Sequence, residues 1–305
     1  MSINRSTLTR GPAYASFNSA SFHFSGDSKI ELAPVTQEVR AALYGKIDET
    51  VSDLLVKCTG TPVTWTSLAV LFPWVSPSIG QRLFGDSDKP LVWASNNGDV
   101  LTVANAAVTK MPDLTLGVEK DALGPMEFTG LVANGADPEA AGSYYAIATG
   151  QSFTAPTLDV TKLTRQRYTA AWGSLAGFGN FQAQEHWTIS HELELAPVKI
   201  QGRTVDMTVV SYRCLAKCKP AEPTLANIDA ALLIQGTGAK HGRRLSANAA
   251  DLVITGQNLV SITLKNAALK TAGFVFGGKP LRNGELGWVS SWVSAATPQQ
   301  GAIFA

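Results

Sequence analysis

Thr102-Val103-Ala104-Asn105-Ala106-Ala107 returns 161 residues later (263 − 102) as Thr263-Leu264-Lys265-Asn266-Ala267-Ala268. Leu91-Val92 and Leu252-Val253 have the same spacing (252 − 91). Three further matches keep the same order with offsets of 163, 160 and 160: residues 30–35 with 193–198, residues 55–58 with 215–218, and Gly124 and Phe128 with Gly284 and Trp288. Five ordered matches with so little drift predict one domain present twice, and the period is too long for a solenoid.

Alternation of apolar and polar residues dominates each half. Val205, Met207 and Val209 alternate with polar neighbours, and Ile262 and Leu264 do the same in a later segment. Such a period of two is typical of half-buried strands. Frequent Asn-Gly and Gly-Gly turns lie between the alternating segments. The sequence therefore predicts a mainly β fold of two tandem, similar antiparallel β-sandwich or barrel domains.

We also predict one flanking helix in each half. Residues 223–235 begin with proline, place Leu225, Ile228 and Leu232 at helical spacing, and stop before Gly236. The corresponding stretch of the first half, residues 63–72, is shorter and richer in β-branched residues.

The repeat sets the predicted domain boundaries. Residues 1–145 form a first β domain with an N-terminal arm, residues 146–176 a linker or extension, and residues 177–305 a second β domain with a C-terminal arm. Residues 134–176 contain Tyr144, Tyr145 and Tyr168, too many aromatics for a disordered linker. We expect this segment, the tail 295–305 and the residues up to about Tyr14 to become ordered only against a neighbouring molecule.

Composition favours a protein covered by copies of itself. Only 16% of the 305 residues are charged, against roughly 25% in ordinary soluble domains. A neutral polar surface can be buried in an interface without desolvating many charges. The net charge of +1 provides no field for nucleic acid or an anionic membrane.

We expect neither a secretory signal nor a membrane span. Residues 1–17 contain no apolar signal-peptide core, and the apolar run 68–75 is too short for a membrane span. Three cysteines, Cys58, Cys214 and Cys218, fit a reducing compartment. We therefore expect synthesis in the cytoplasm. Cys58 and Cys218 fall at matching repeat positions, which favours a packing role in each core.

No motif predicts catalysis, a cofactor or a metal. The glycine-rich residues 236–240 follow a predicted helix rather than a strand, so they lack the context of a phosphate loop. Glu185-His186 and His191-Glu192 suggest metal ligands, but positions 186 and 191 face opposite sides of a strand. We expect no enzyme activity and no catalytic, cofactor-binding or metal-binding residue.

Tryptophans could form a platform for stacking on sugars or bases. The candidates are Trp172, Trp187, Trp288 and Trp292. Trp288 matches Phe128 in the other repeat, which favours a core or interface anchor over a binding platform.

Two stretches of the sequence carry a family resemblance. The order of residues 262–269, Gly277-Gly278 and residues 284–288 resembles the C-terminal half of the major tail tube proteins of long-tailed bacteriophages. Residues 123–130 followed by residues 134–138 are similar to the same family in the first half. The similarity covers about two-thirds of the chain through short motifs.

The resemblance implies a structural virion protein of the phage tail. In that family a β-sandwich with a flanking helix forms rings, usually of six protomers, which stack into a hollow tube that DNA passes through without sequence-specific binding. Tube proteins with two fused domains form trimeric rings with pseudo-sixfold symmetry, and the expected partners are further copies, the tape measure protein and tail-end proteins. Two alternatives remain: a baseplate hub or distal tail protein with duplicated tube domains, and a tandem β-sandwich that binds a receptor or a carbohydrate.

Overall fold

The computed structural model describes residues 13–18, 20–25, 28–63, 80–85, 88–95, 98–117, 122–151, 168–173, 175–176, 186–219, 234–235, 238–239, 244–256, 261–275, 282–290 and 302–304. These residues form antiparallel sheets, and the one helix among them is a short 3-10 turn, Leu245–Asn248. The predicted mainly β fold is confirmed. None of the helices in the described ranges is long and apolar enough to cross a bilayer.

The first half forms two sheets. The strands of the first half are β1 (Ala13–Phe17), β2 (Ala20–His23), β3 (Lys29–Ala41), β4 (Gly45–Gly60), β5 (Leu91–Ser95), β6 (Val100–Val103), β7 (Asn105–Lys110), β8 (Leu114–Gly117), β9 (Ala122–Leu123), β10 (Met126–Leu131) and β11 (Tyr145–Ala148). One sheet has the order β11-β6-β5-β1-β2 and the other the order β3-β4-β10-β7.

The second half is built around one large sheet. Its strands are β12 (Tyr168–Trp172), β13 (Leu175–Ala176), β14 (His186–Ile200), β15 (Arg203–Cys218), β16 (Ile234–Gln235), β17 (Gly238–Ala239), β18 (Ala250–Gly256), β19 (Ser261–Val275), β20 (Arg282–Ser290) and β21 (Ala302–Phe304). The sheet order is β13-β12-β18-β19-β20-β15-β14-β8-β9, with β21 beside β19, and β16 pairs only with β17.

The strand order of the first half recurs in the second. The order β2-β1-β5-β6-β11 corresponds to β13-β12-β18-β19-β21, and β3-β4-β10-β7 corresponds to β14-β15-β20-β19. The long strand β19 takes the places of both β6 and β7. Leu91 pairs with Val103, and 161 residues later Leu252 pairs with Leu264.

The two hairpins next to these strands are nearly equal in length, but their register differs from that of the sequence match. Cys58 pairs with Phe128, but Cys218 pairs with Leu286. Ala216 is the residue opposite Trp288, so the predicted equivalence of Cys58 with Cys218 is off by two residues. An even slip leaves each side chain on the same face of the sheet, and all three cysteines are buried.

The predicted helices fall mostly outside the described residues. Within residues 223–235 only Ile234–Gln235 are described, and they form β16. Within residues 63–72 only Val63 is described. β11 pairs with a strand of the first half and β12 with a strand of the second half. The domain boundaries at 145 and 176 stay a prediction.

The segments that we expected to become ordered only against a neighbour contain residues that pair within the chain. Tyr145–Ala148 pairs with β6, Tyr168–Trp172 with β18, Ala302–Phe304 with β19, and Ala13–Phe17 with β5. For these residues the expectation is wrong, because each strand pairs with a strand of its own chain, and β1 and β12 have a neighbour on both sides.

Large aromatic side chains fill the core. Trp172, Trp187 and Trp288 are buried, and the rings of Trp187 and Trp288 lie 5.4 Å apart. Trp172 donates from its indole nitrogen to the carbonyl of Ala267 at 2.7 Å. These three tryptophans are core anchors as predicted, and Trp292 lies outside the described residues.

Candidate assembly surface

The outer part of the β3–β4 hairpin is not packed on any core formed by the described residues. We call residues 36–52 the arm; it begins beyond the pair formed by Val35 and Asp53. Every residue of the arm is exposed except Ala41 and Ser52, which are half-buried. A two-stranded ribbon in water is only marginally stable, so the arm needs a covering surface to hold its shape.

The arm exposes large apolar side chains at its tip and along its return strand. Leu43 is 88% exposed, Tyr44 80%, Val51 67% and Ile47 56%. Exposed apolar side chains grouped on one projection mark an interaction site more often than scattered ones do. Covering them with a partner would stabilise the contact by roughly 25 cal/mol for each Å² of apolar surface removed from water.

One face of the arm carries charges that balance one another. Glu38 lies 2.5 Å from the Arg40 guanidinium and 3.6 Å from Lys46, which also contacts Glu49. These side chains are between 42% and 71% exposed, and exposed ion pairs contribute little stability. The charge cluster therefore favours a specific orientation against a partner more than it stabilises the arm.

A buried carboxylate fixes the base of the arm. Asp53 accepts hydrogen bonds from the backbone amide of Thr204 at 2.7 Å and from the Tyr144 hydroxyl at 3.2 Å. Burial and the nearby Asp53 carboxylate raise the pKa of Tyr144, so the phenol stays protonated and remains a donor. Three separate segments thus meet where the arm leaves the sheet.

A second buried carboxylate joins the halves. Asp206 accepts from the backbone amide of Phe84 at 3.1 Å and from Arg82 Nε at 2.5 Å. Beside it, residues 80–83 exchange backbone hydrogen bonds with Met207 and Val209 at 2.8 to 2.9 Å. This edge of β15 is therefore covered by the first half.

The hairpin of the second half is covered where that of the first is open. β8 pairs with β14 over His186–Ile189, and among the described residues no strand pairs with the outer edge of β3. An open strand edge is a template for another chain. The arm and the outer edge of β3 together form the candidate assembly surface.

Of the residues considered as metal ligands, His191 and Glu192 are fully described. The His191 Nδ1 lies 2.6 Å from the Tyr212 hydroxyl, and burial lowers the pKa of His191 to about 3. Glu185 and the side chain of His186 lie outside the described residues. Across the described part of the chain no group of three His, Cys, Asp or Glu residues could hold a metal ion.

Sequence reasoning missed the candidate assembly surface. The residues of the arm alternate only partly, and nothing in them marks a strand that projects from the sheet. Hairpin length is not a signal for it, because the two hairpins extend almost equally far beyond Ile30 and Ile189. No protein-family model matches the chain, and a search of curated proteins finds no match.

Proposed function

We propose that this chain is a structural protein that assembles with copies of itself, and that it is the tail tube subunit of a long-tailed bacteriophage. The observation that carries self-assembly is the arm, a two-stranded ribbon with Leu43 and Tyr44 exposed at its tip and Ile47 exposed beside them. Such a ribbon gains a defined position only against another surface.

The repeated strand order supports a ring. Both halves contain the same succession of paired strands, so one chain can occupy two similar positions around an axis. Three chains would then present six similar halves, and a trimer would replace a hexamer of single domains. Stacked rings would enclose a lumen for DNA, the chain would reside in the virion tail, and the tape measure and tail-end proteins would contact the tube.

Buried aromatic rings disfavour the carbohydrate-binding alternative. Trp172, Trp187 and Trp288 fill the core, and a stacking platform needs its rings at the surface. A baseplate hub remains the closest alternative, because it would share the duplication and the trimeric ring but would not polymerise.

Electron microscopy and mass measurement test the proposal together. The purified chain is expected to form rings or tubes in negative stain, and isolated rings are expected to weigh three chains. Trimeric rings that never stack would favour the hub. Single chains at all concentrations would contradict self-assembly, and six chains per ring would contradict the role given to the duplication.

A shortened arm provides the matched variant. Replacing residues 37–50 by Asn-Gly joins Thr36 to Val51, which are already paired, through a two-residue hairpin turn. We expect a folded protein without tubes. The control is Gln201→Asn in the other hairpin, where Gln201 and Gly202 both have positive φ, and it should assemble as the natural chain does.

A further inference from the structure

Within one chain the two halves are joined by strand pairing at a sheet edge. β8 of the first half lies antiparallel to the start of β14, with Leu114 opposite Ile189 and Leu116 opposite Trp187. Ile189 is fully buried at this junction. The chain thus contains one complete junction between a first half and a second half.

The β14 side of that junction, which we call the acceptor, has a counterpart in the first half. Ile189 pairs with Ala216, which lies opposite Trp288. Ile30 pairs with Cys58, which lies opposite Phe128. Ile30 therefore occupies the position of Ile189, but it is 38% exposed where Ile189 is buried.

The β8 side of the junction, which we call the donor, also has a counterpart, in the second half. β7 and β10 lead into the β8–β9 hairpin, in which Leu114 pairs with Leu123. β19 and β20 continue past their own core pairs to Phe274 opposite Asn283 and Val275 opposite Arg282. An offset of 161 (275 − 114) places Val275 at the position of Leu114.

We propose that the end of β19 in one copy pairs with the start of β3 in a second copy, with Val275 near Ile30, as Leu114 pairs with Ile189 within one chain. This inference rests on the proposed self-assembly. Donor and acceptor are different surfaces, so the contact is head-to-tail and repeats around a ring if the rotation closes. Pairing would cover an open edge that otherwise invites aggregation and would bury Ile30.

Hydrogen–deuterium exchange on the unmodified protein tests the pairing. Backbone amides in peptides covering residues 29–32 and 272–275 should both exchange more slowly in assembled rings than in free chains. Slow exchange of residues 29–32 already in the free chain would mean that the chain covers its own edge, and would overturn the inference. Assembly with no change in either peptide would overturn it while leaving self-assembly intact, whereas no assembly at all would contradict the proposed function.

Cross-linking tests the register. In an antiparallel pair with Ile30 opposite Val275, Glu31 lies opposite Phe274. The double variant Glu31→Cys/Phe274→Cys, treated with a short bifunctional maleimide, should give a ladder of linked chains, and Glu31→Cys/Ile147→Cys should not. The natural cysteines are buried, and Glu31 pairs with Lys57 rather than with Cys58. Equal linking in both variants would overturn the register.

Discussion

The carboxylate of Asp53 accepts a hydrogen bond from the backbone amide of Thr204, 151 residues further along the chain, at 2.7 Å. Asp53 sits at the base of the arm and Thr204 at the start of the return strand of the second hairpin. The bond therefore fixes one hairpin relative to the other, and with it the direction in which the arm projects.

Asp53→Asn should destabilise the protein by about 1–3 kcal/mol, because one Asp53 oxygen accepts from the Thr204 amide and the other from the Leu54 amide, and asparagine has only one oxygen that can accept. Urea unfolding of free chains measures the change. Asp48→Asn is the control: Asp48 lies in the exposed arm, and we expect a change within about 0.5 kcal/mol. Equal losses in both variants would contradict the role of Asp53.

Leu43→Ser/Tyr44→Ser should abolish tubes while leaving the stability of the free chain within about 0.5 kcal/mol. Both side chains are exposed at the tip of the arm, so the fold loses no core contact. Negative stain and urea unfolding give the two readings. Ile147→Ser, an exposed apolar residue on β11, serves as the control, and tubes of normal length in the double variant would remove the arm from the assembly surface.

Gly130→Ala should destabilise the chain by about 1–3 kcal/mol, since overpacking a tight core forces neighbours to shift. A Cβ at Gly130 would lie 2.2 Å from Val103 Cγ1 and 3.2 Å from Val56 Cβ. Adding Val103→Ala removes the nearer methyl group. The double variant should therefore lose less stability than the sum of the losses in the two single variants. Strict additivity in urea unfolding would mean that the two residues do not touch.

Acid should destabilise the fold through His191. Burial holds its pKa at about 3, against 6.5 for the free side chain. The group is neutral in the fold and takes up a proton on unfolding, so its contribution is fully present above pH 6.5 and is lost as the pH falls toward 3. His191→Gln should flatten the stability curve in this window, and an unchanged slope in the variant would assign the acid sensitivity to other groups.

Removing residues 302–305 should lower stability rather than act on assembly alone. Ile262, Thr263 and Leu264 pair with the strand that these residues form, and each lost backbone hydrogen bond costs about 0.5–1.5 kcal/mol net. Thermal unfolding of the free truncated chain measures the loss. An unchanged melting temperature would instead support the prediction that the tail becomes ordered only against a neighbouring molecule.

The sequence predicted the strands, but not where residues 30–35 and 193–198 lie along their hairpins. The pairs Leu91–Val103 and Leu252–Leu264 recur at the offset read from the letters alone, because buried positions constrain residue type. Residues 30–35 and 193–198 look alike yet stand four positions apart along their strands, judged from Ile30 and Ile189. Any even slip preserves the alternation of faces, so letter matching cannot detect it.

The backbone hydrogen bonds of residues 80–83 with Met207 and Val209 affect how the chain folds during synthesis on the ribosome. The first half emerges with that segment and β8 complete, but their partner strands β14 and β15 follow roughly a hundred residues later. Until then the nascent chain exposes strand edges that β14 and β15 cover in the folded chain, and pairings of this sequence separation are slow to form. Slowing elongation between these points would lengthen the interval in which one nascent chain can capture the edges of another.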